Sequence, residues 1–343
     1  MSRTFRLLYL PYCAIKVVLD HFKPRDILLF SICSKKTKNL VKSSKFKAKN
    51  GTLVLSIGVS SNSLSIERSK FRFNLIRVFE TSMLPENRTL PIGRIGSFAV
   101  PMELHSTGFL DTYWENRRVG IQEAGNYGIE IFQKPIHQLV LGTEISKDDP
   151  RWALNWIYSI QPSLPMCFFS EVCQMDDDEI AYLLNTCRVT EKFYCLLKST
   201  DSFTYREPIP FDLDVVMIRP SKWITQEHLL SMNCKWIGLV DSRLTSQDFN
   251  LFLKHFASGG CSKLKEIRII METNLDYDIA LESFERTNET KNRRYINKDG
   301  MIFPVRSSLH IQFNDVAATV LSNISTPKEF WMVIWPDWQG NPY

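Results

Sequence analysis

The residues able to bind metals or act as nucleophiles are scattered along this chain. Its six histidines stand singly within apolar or helical patterns. Its eight cysteines include no C-x2-C pair and no accompanying His-x3-His spacing, the arrangements typical of zinc sites. Several cysteines, such as Cys33 and Cys195, lie inside apolar stretches. These patterns predict reduced core thiols in an intracellular protein, with no metal and no cofactor.

One acidic cluster, residues 176–179, has a composition that could bind a divalent cation. It directly precedes a helical apolar pattern that includes Ile180 and Leu183, and a helix N-terminus favours negative charge. We therefore interpret it as the start of a helix. The chain also lacks the nucleophile-elbow, zinc-protease and phosphate-loop motifs, so the sequence predicts no catalytic residues and no enzyme.

Charge is distributed unevenly. The whole chain carries a net charge of +5, yet residues 1–50 alone contain 12 Lys/Arg and only 2 Asp/Glu. A basic module of this kind suggests an acidic partner, which could be a protein, a nucleic acid or an anionic lipid. Pro11, Lys16 and Asp20 interrupt the N-terminal apolar run, and no later segment approaches the roughly 20 apolar residues of a membrane span. We expect a cytoplasmic or nuclear protein with no membrane partner.

Three short helices are predicted within residues 11–45. Pro11 suits a first helical turn, and Pro24 restarts a helix with Asp26 near its N-terminus. Ser34 can cap the third helix. The first helix has apolar residues at helical spacing: Ile15, Val18, Leu19 and Phe22. Three helices of this length make a marginal core, so a partner is expected to complete the apolar surface.

Beyond a boundary predicted at residues 47–51, the pattern changes from helical to alternating. Strands are expected near residues 53–57 and 71–79, whereas residues 84–147 show only short strand signals separated by Gly, Pro and Asn and cannot be traced. A helical pattern returns near residue 150. We predict a mixed α/β region here, which gives an α+β protein overall.

Residues 213–270 form the most organised stretch, with the pattern of strand, helix, strand, helix and strand. Thr225-x-x-His228 and Thr245-x-x-Asp248 resemble each other and have helix-capping spacing. This repeat predicts leucine-rich-repeat-like stacking of parallel strands. Two hairpins are predicted to follow, the first turning at residues 297–300, and a closing strand to end at Trp335.

The sequences of several segments resemble those of a known family. Residues 5–11 read FRLLYLP and residues 24–38 read PRDILLFSICSKKTK, which resembles an F-box of the expanded nematode group. In that group a type-2 F-box-associated domain follows, and residues 239–264 and 293–300 are similar to it. The resemblance implies an F-box at 4–48 and an F-box-associated region at 50–343, with its core at about 210–275 and hairpins at 293–335.

The resemblance also implies a role. An F-box docks on a Skp-family protein and through it on a cullin, so the chain would be a substrate-recognition adaptor of an SCF-type ubiquitin ligase. Skp-family proteins are acidic, which suits the basic module. The C-terminal region would bind an unknown substrate protein. By resemblance the docking and bundle-forming residues are Leu8, Leu10, Pro11, Ile15, Val18, Leu19, Pro24, Leu28, Leu29 and Cys33, although such residues could instead all pack internally.

The alternative is a basic nucleic-acid-binding or localisation module fused to a protein-interaction domain, with no role in a ubiquitin ligase. Three basic helices could mimic a helix-turn-helix. The third helix, however, offers only Asn39 among the side chains that usually recognise base edges. Nucleic acid is therefore the less favoured partner.

Overall fold

A computed structural model of the chain describes residues 7–44, 51–57, 62–68, 71–84, 89–142, 148–170, 175–208, 211–288, 293–305, 308–313, 316–321 and 327–343. The chain divides into two compact units, Met1–Leu164 and Pro165–Tyr343, which we call unit 1 and unit 2. Most of the boundary predicted at residues 47–51 lies outside the described residues.

Unit 1 begins with three helices and continues as a mixed sheet with two further helices. A 3₁₀ turn at Leu7–Tyr9 precedes the first helix, and a second such turn spans Thr81–Met83. The elements are α1 (Tyr12–Asp20), α2 (Pro24–Ile32), α3 (Lys35–Ser43), β1 (Thr52–Ile57), β2 (Ser63–Arg68), β3 (Phe71–Glu80), β4 (Ile92–Ile95), β5 (Phe98–Leu104), β6 (Leu110–Trp114), α4 (Arg117–Phe132), β7 (Ile136–Leu141) and α5 (Asp149–Ile160).

The strands of unit 1 lie in the order β7-β1-β2-β3-β6-β5-β4. Strands β1 and β7 are parallel, as are β3 and β6, while β2 and β5 run antiparallel to their neighbours. Helix α4 connects β6 to β7 and packs on the sheet. The N-terminal end of α4 is fixed by a fully buried carboxylate, Asp149, which accepts hydrogen bonds from Arg117 and Arg118.

Helix α4 lies unusually close to its neighbours because it presents glycines to them. A Cβ atom on Gly125 would lie 2.5 Å from the Trp156 ring, and one on Gly128 would lie 2.3 Å from the side chain of Leu64. Real Cβ atoms do not approach other atoms so closely, so a side chain at either position would force its neighbour to shift. This helix occupies part of the 84–147 region that the sequence alone could not trace.

Unit 2 also contains a series of mixed parallel and antiparallel strands. Its elements are β8 (Leu164–Phe169), α6 (Asp177–Thr186), β9 (Val189–Cys195), β10 (Val215–Ile218), α7 (Gln226–Ser231), β11 (Trp236–Ser242), α8 (Ser246–Ala257), β12 (Glu266–Met271), α9 (Tyr277–Ala280), β13 (Arg286–Asn288), β14 (Arg293–Ile296), β15 (Ile302–Val305), β16 (Leu309–Phe313), β17 (Val316–Val320) and β18 (Glu329–Ile334). The sheet order is β8-β9-β10-β11-β12-β18-β17-β16-β13, and β14 pairs with β15 separately.

The predicted strand–helix repeat is present in unit 2. Strands β9, β10, β11 and β12 pair in parallel and in chain order. The Thr225 Oγ1 atom accepts from the His228 backbone N–H, and the His228 Nδ1 atom accepts from the Thr225 N–H. Thr245 and Asp248 make the same reciprocal pair before α8, with Asp248 in the place where a capping box usually has Glu or Gln. The weak sequence repeat therefore corresponds to two helix caps.

The last third of unit 2 has the two hairpins and the closing strand expected from the sequence. Residues 297–300 turn between β14 and β15, β16 pairs with β17, and β18 pairs with both β12 and β17. The side chains of Tyr295, Val305, Val333 and Trp335 form a buried cluster. The acidic cluster at 176–179 begins α6, where an Asp176 Oδ1 atom accepts from the Glu179 N–H at 3.0 Å.

Candidate partner-docking site

The three N-terminal helices have local sequence reasons for their bounds. Helix α1 begins at Tyr12, one residue after Pro11, whose carbonyl accepts from the N–H groups of Ala14 and Ile15. Helix α2 starts at Pro24 itself, a position where the missing N–H costs nothing. The hydroxyl of Ser34 accepts from the Thr37 N–H at 3.1 Å, which confirms the predicted cap of α3.

Part of the predicted residue set is buried. Ile15, Leu19, Pro24 and Leu28 are buried, as are Ile27 and Val41 of the same helices, and α2 packs on α3, on α4 and on strands β3 and β4. Leu8, Leu10, Val18 and Leu29 are half-buried, whereas Pro11 and Cys33 are exposed. The set thus separates into core residues and residues with surface available to a partner.

An exposed apolar surface lies at the start of α1. Tyr9 is 80% exposed, Tyr12 is 48% exposed and Val17 is 59% exposed. Together with the exposed residues Pro11 and Cys13 they form what we call the α1 patch. Cys13 and Val17 lie one helical turn apart and therefore share a face.

The sequence interpretation missed Tyr9, Tyr12 and Val17. It followed the apolar spacing of Ile15, Val18, Leu19 and Phe22, which marks the buried side of the helix. The available signal was Tyr12 and Val17, two apolar residues off that spacing in a nine-residue helix with one acidic residue. A helix that packs only against its own core does not need apolar residues on its other sides.

The helices are fixed to the rest of unit 1 by α4. The Nζ atoms of Lys38 and Lys42 lie 2.7 Å and 2.9 Å from the two carboxylate oxygens of Glu130. Burial would raise the pKa of Glu130, but hydrogen bonds and charge attraction from the two lysines lower it below its usual range. The Ser31 hydroxyl lies 3.0 Å from the Tyr127 hydroxyl, and burial raises the pKa of Tyr127 to about 12. Two of the basic charges predicted for an acidic partner are thus paired within the chain.

Unit 2 exposes a different kind of surface, at the carboxyl ends of its parallel strands. Lys222 lies 2.8 Å from an oxygen of Asp201 and 3.1 Å from an oxygen of Glu272. The Arg243 guanidinium approaches the same two carboxylates at 3.7 Å and 3.5 Å. In sheets with parallel strands, this edge is where ligands usually bind. We call these four residues the strand-end ion cluster.

Comparison with known families fits this geometry. Residues 7–49 match the F-box domain family. The chain contains an F-box. Residues 204–269 match a second family, described as F-box associated. Neither family is an enzyme family; both comprise adaptor or interaction domains.

The chain is also similar to a protein of Caenorhabditis elegans described as uncharacterized. The two are 22% identical over 299 residues, which covers 85% of this chain and 68% of that protein. No solved structure matches. The F-box match covers α1 to α3, and the F-box-associated match covers β10 to β12 with both capped helices. None of the helices in the described ranges has the length and apolar character needed to cross a membrane.

Proposed function

We propose that this protein is a substrate-recognition adaptor of an SCF-type ubiquitin ligase. Its F-box docks on a Skp-family protein, and through that protein on a cullin. The α1 patch is the observation that supports this most directly. The F-box helices already contain buried apolar residues, yet the Tyr12 and Val17 side chains remain 48% and 59% exposed.

Aromatic and aliphatic residues exposed together on one helix are typical anchors of a protein interface. The half-buried Leu10 and Val18 adjoin the α1 patch in sequence and extend its apolar character. Lys16 and Lys23 are also exposed and would border a partner of acidic character. Of the residues implied by the F-box resemblance, we propose that Leu8, Leu10, Pro11, Val18, Leu29 and Cys33 contact the Skp-family protein, whereas Ile15, Leu19, Pro24 and Leu28 hold the bundle together.

Substrate recognition belongs, in this proposal, to unit 2. The F-box-associated match lies there, and the strand-end ion cluster offers charged groups on an exposed edge. A charged side chain of a substrate protein could replace one partner of these ion pairs. All four residues are partly exposed, so none of them would be left as a buried unpaired charge. Proximity labelling by the full chain, with and without the α1 patch intact, identifies the substrate class.

The test of docking uses the purified full-length protein and a purified Skp-family protein. The double variant Tyr12→Ala, Val17→Asp is compared with the wild type by calorimetric titration. Loss of two interface anchors is expected to weaken binding by roughly 30-fold or more. A second variant, Leu10→Asp with Pro11→Ala, is expected to abolish binding.

A matched control is Leu251→Asp, because Leu251 is 43% exposed on α8 of unit 2 and lies outside the F-box. It should bind the Skp-family protein as the wild type does. Unchanged binding by both F-box variants would overturn the proposal. Salt-dependent binding to random DNA that is lost with the lysines of α3 would favour the nucleic-acid alternative.

A further inference from the structure

A groove separates the F-box from the edge of the unit 1 sheet. It has a volume of about 460 Å³ and is lined on one side by the end of α2 and the start of α3, and on the other by β4 and Gly96. Its apolar lining includes Ile32 and Ile92, and Ile92 is 65% exposed. We call it the α3–β4 groove. It shares no residue with the α1 patch.

The sheet edge that faces this groove is unpaired. Strand β4 is last in the order of strands, and β5 is its one partner among the described residues. The carbonyl of Pro91 accepts from the Met102 N–H of β5, so the backbone groups of Gly93 and Ile95 also point towards β5. By the two-residue period of a strand, the N–H and C=O groups of Ile92 and Arg94 point outwards. An edge of this kind can pair with an added strand.

The charge of the groove determines which kind of peptide strand could bind there. Its lining contains the cations Lys35, Lys38 and Arg94 and no carboxylate. Lys38 is paired with Glu130, but Lys35 and Arg94 are exposed and have no acidic partner within the described ranges. Two carboxylates border the groove: that of Glu130 lies 2.7 Å from the Lys38 Nζ atom, and that of Glu123 lies beside Gly96. Lys35 and Arg94, on opposite walls, remain as two positions that can attract a carboxylate of a ligand.

We propose that the α3–β4 groove binds an extended acidic peptide segment of a partner protein. The segment adds to the sheet as a strand beside β4, through the outward backbone groups of Ile92 and Arg94. One apolar side chain of the segment packs against Ile92 and Ile32, and its carboxylates pair with Arg94 and Lys35. This site lies partly outside the F-box, and Cys33 is the one residue of its lining that also belongs to the proposed Skp-family contacts.

The test uses full-length protein and a fluorescein-labelled peptide of valine-threonine-aspartate-threonine repeats, which places valine and aspartate two residues apart on one face of a strand. Binding is measured by fluorescence anisotropy at physiological salt. Arg94→Glu should weaken binding about tenfold or more, because one attraction becomes a repulsion. Lys36→Glu is the matched control, since Lys36 is an exposed lysine next to Lys35 that does not line the groove. It should change binding by less than about twofold.

Three further measurements decide the outcome. The same peptide with alternate backbone nitrogens methylated should not bind, since it cannot pair with β4. Equal loss in Lys36→Glu and Arg94→Glu, or full binding of the methylated peptide, would overturn the proposal. So would tighter binding of a random DNA strand that displaces the peptide. Binding of the Skp-family protein should be unchanged in Arg94→Glu, which separates this site from the α1 patch.

Discussion

The F-box helices and the repeat region of unit 2 differ in how much of their apolar surface is exposed to solvent. In the repeat region, residues such as Phe249, Phe252 and Ile267 are completely buried, and the exposed edge carries paired charges. In the F-box, the side chains of Tyr9, Tyr12 and Val17 remain largely exposed at helix α1, which has no side-chain cap, unlike α8. The comparison shows that the repeat region buries its large apolar side chains, whereas the F-box keeps several on its surface.

The largest expected effect on stability comes from a substitution in the buried core of the repeat region. Phe249 is fully buried on α8 and stacks on Phe330 with ring centroids 4.5 Å apart. Phe249→Ala should lower the free energy of unfolding of unit 2 by about 4 kcal/mol, because it leaves a cavity in the core. Urea unfolding followed by circular dichroism measures this change. Leu251→Ala, two residues away but 43% exposed, should change it by less than about 0.5 kcal/mol.

Removal of a helix cap should lower the stability of the two regions by a similar amount. Thr245→Ala removes the hydroxyl that accepts from Asp248 N–H, and Ser34→Ala removes the one that accepts from Thr37 N–H. Each substitution should cost about 1 kcal/mol. Thermal unfolding of the two variants provides the measurement. A much smaller cost in Ser34→Ala would mean that the F-box helices depend less on local capping than the repeat region does.

A smaller effect is expected where the F-box is attached to α4. Glu130→Gln weakens the contacts with Lys38 and Lys42 and should cost about 0.5 kcal/mol at neutral pH, since the groups are partly solvated. The pKa of Glu130 is lowered in the folded chain, so its stabilising contribution is present above the unfolded pKa and is lost as pH falls through the folded pKa.

The difference in stability between wild type and Glu130→Gln should therefore shrink as the pH falls through the usual pKa of a glutamate and vanish below the lowered pKa of Glu130 in the folded chain. Urea titrations at a series of pH values measure it. A difference that persists at low pH would show that Glu130 acts by packing and not by charge.

The smallest effect on stability should come from the α1 patch itself. Val17→Ser changes a side chain that is 59% exposed, so the melting temperature should stay the same within error. Differential scanning calorimetry checks this. A clear loss of stability would mean that the Val17 side chain completes the bundle core, and it would remove the main contrast between the two regions.

Much of the fold follows from local sequence patterns. The helix starts at Pro24 and Ser34, the capped repeat around Thr225 and Thr245, and the turn at residues 297–300 each depend on side chains within a few residues of one another. Such short-range interactions can be recognised in one sequence.

Helix α4 shows why the rest could not be predicted. Gly120, Gly125 and Gly128 lower its helix propensity, and the sequence there has the character of a loop. The reason for the glycines is tertiary, because Trp114, Trp156 and Leu64 occupy the space that their side chains would need. The α1 patch was not predicted from the sequence for a related reason. Apolar spacing alone does not distinguish a helix face that is buried within the chain from one that stays exposed.

The attachment of the F-box to α4 has a mechanical consequence. The Ser31 hydroxyl and the two lysines of α3 contact the same helix at Tyr127 and Glu130, three residues apart along α4. Contacts at separated points resist rotation as well as translation. A protein bound to the F-box would therefore hold the unit 1 sheet at a fixed orientation relative to itself.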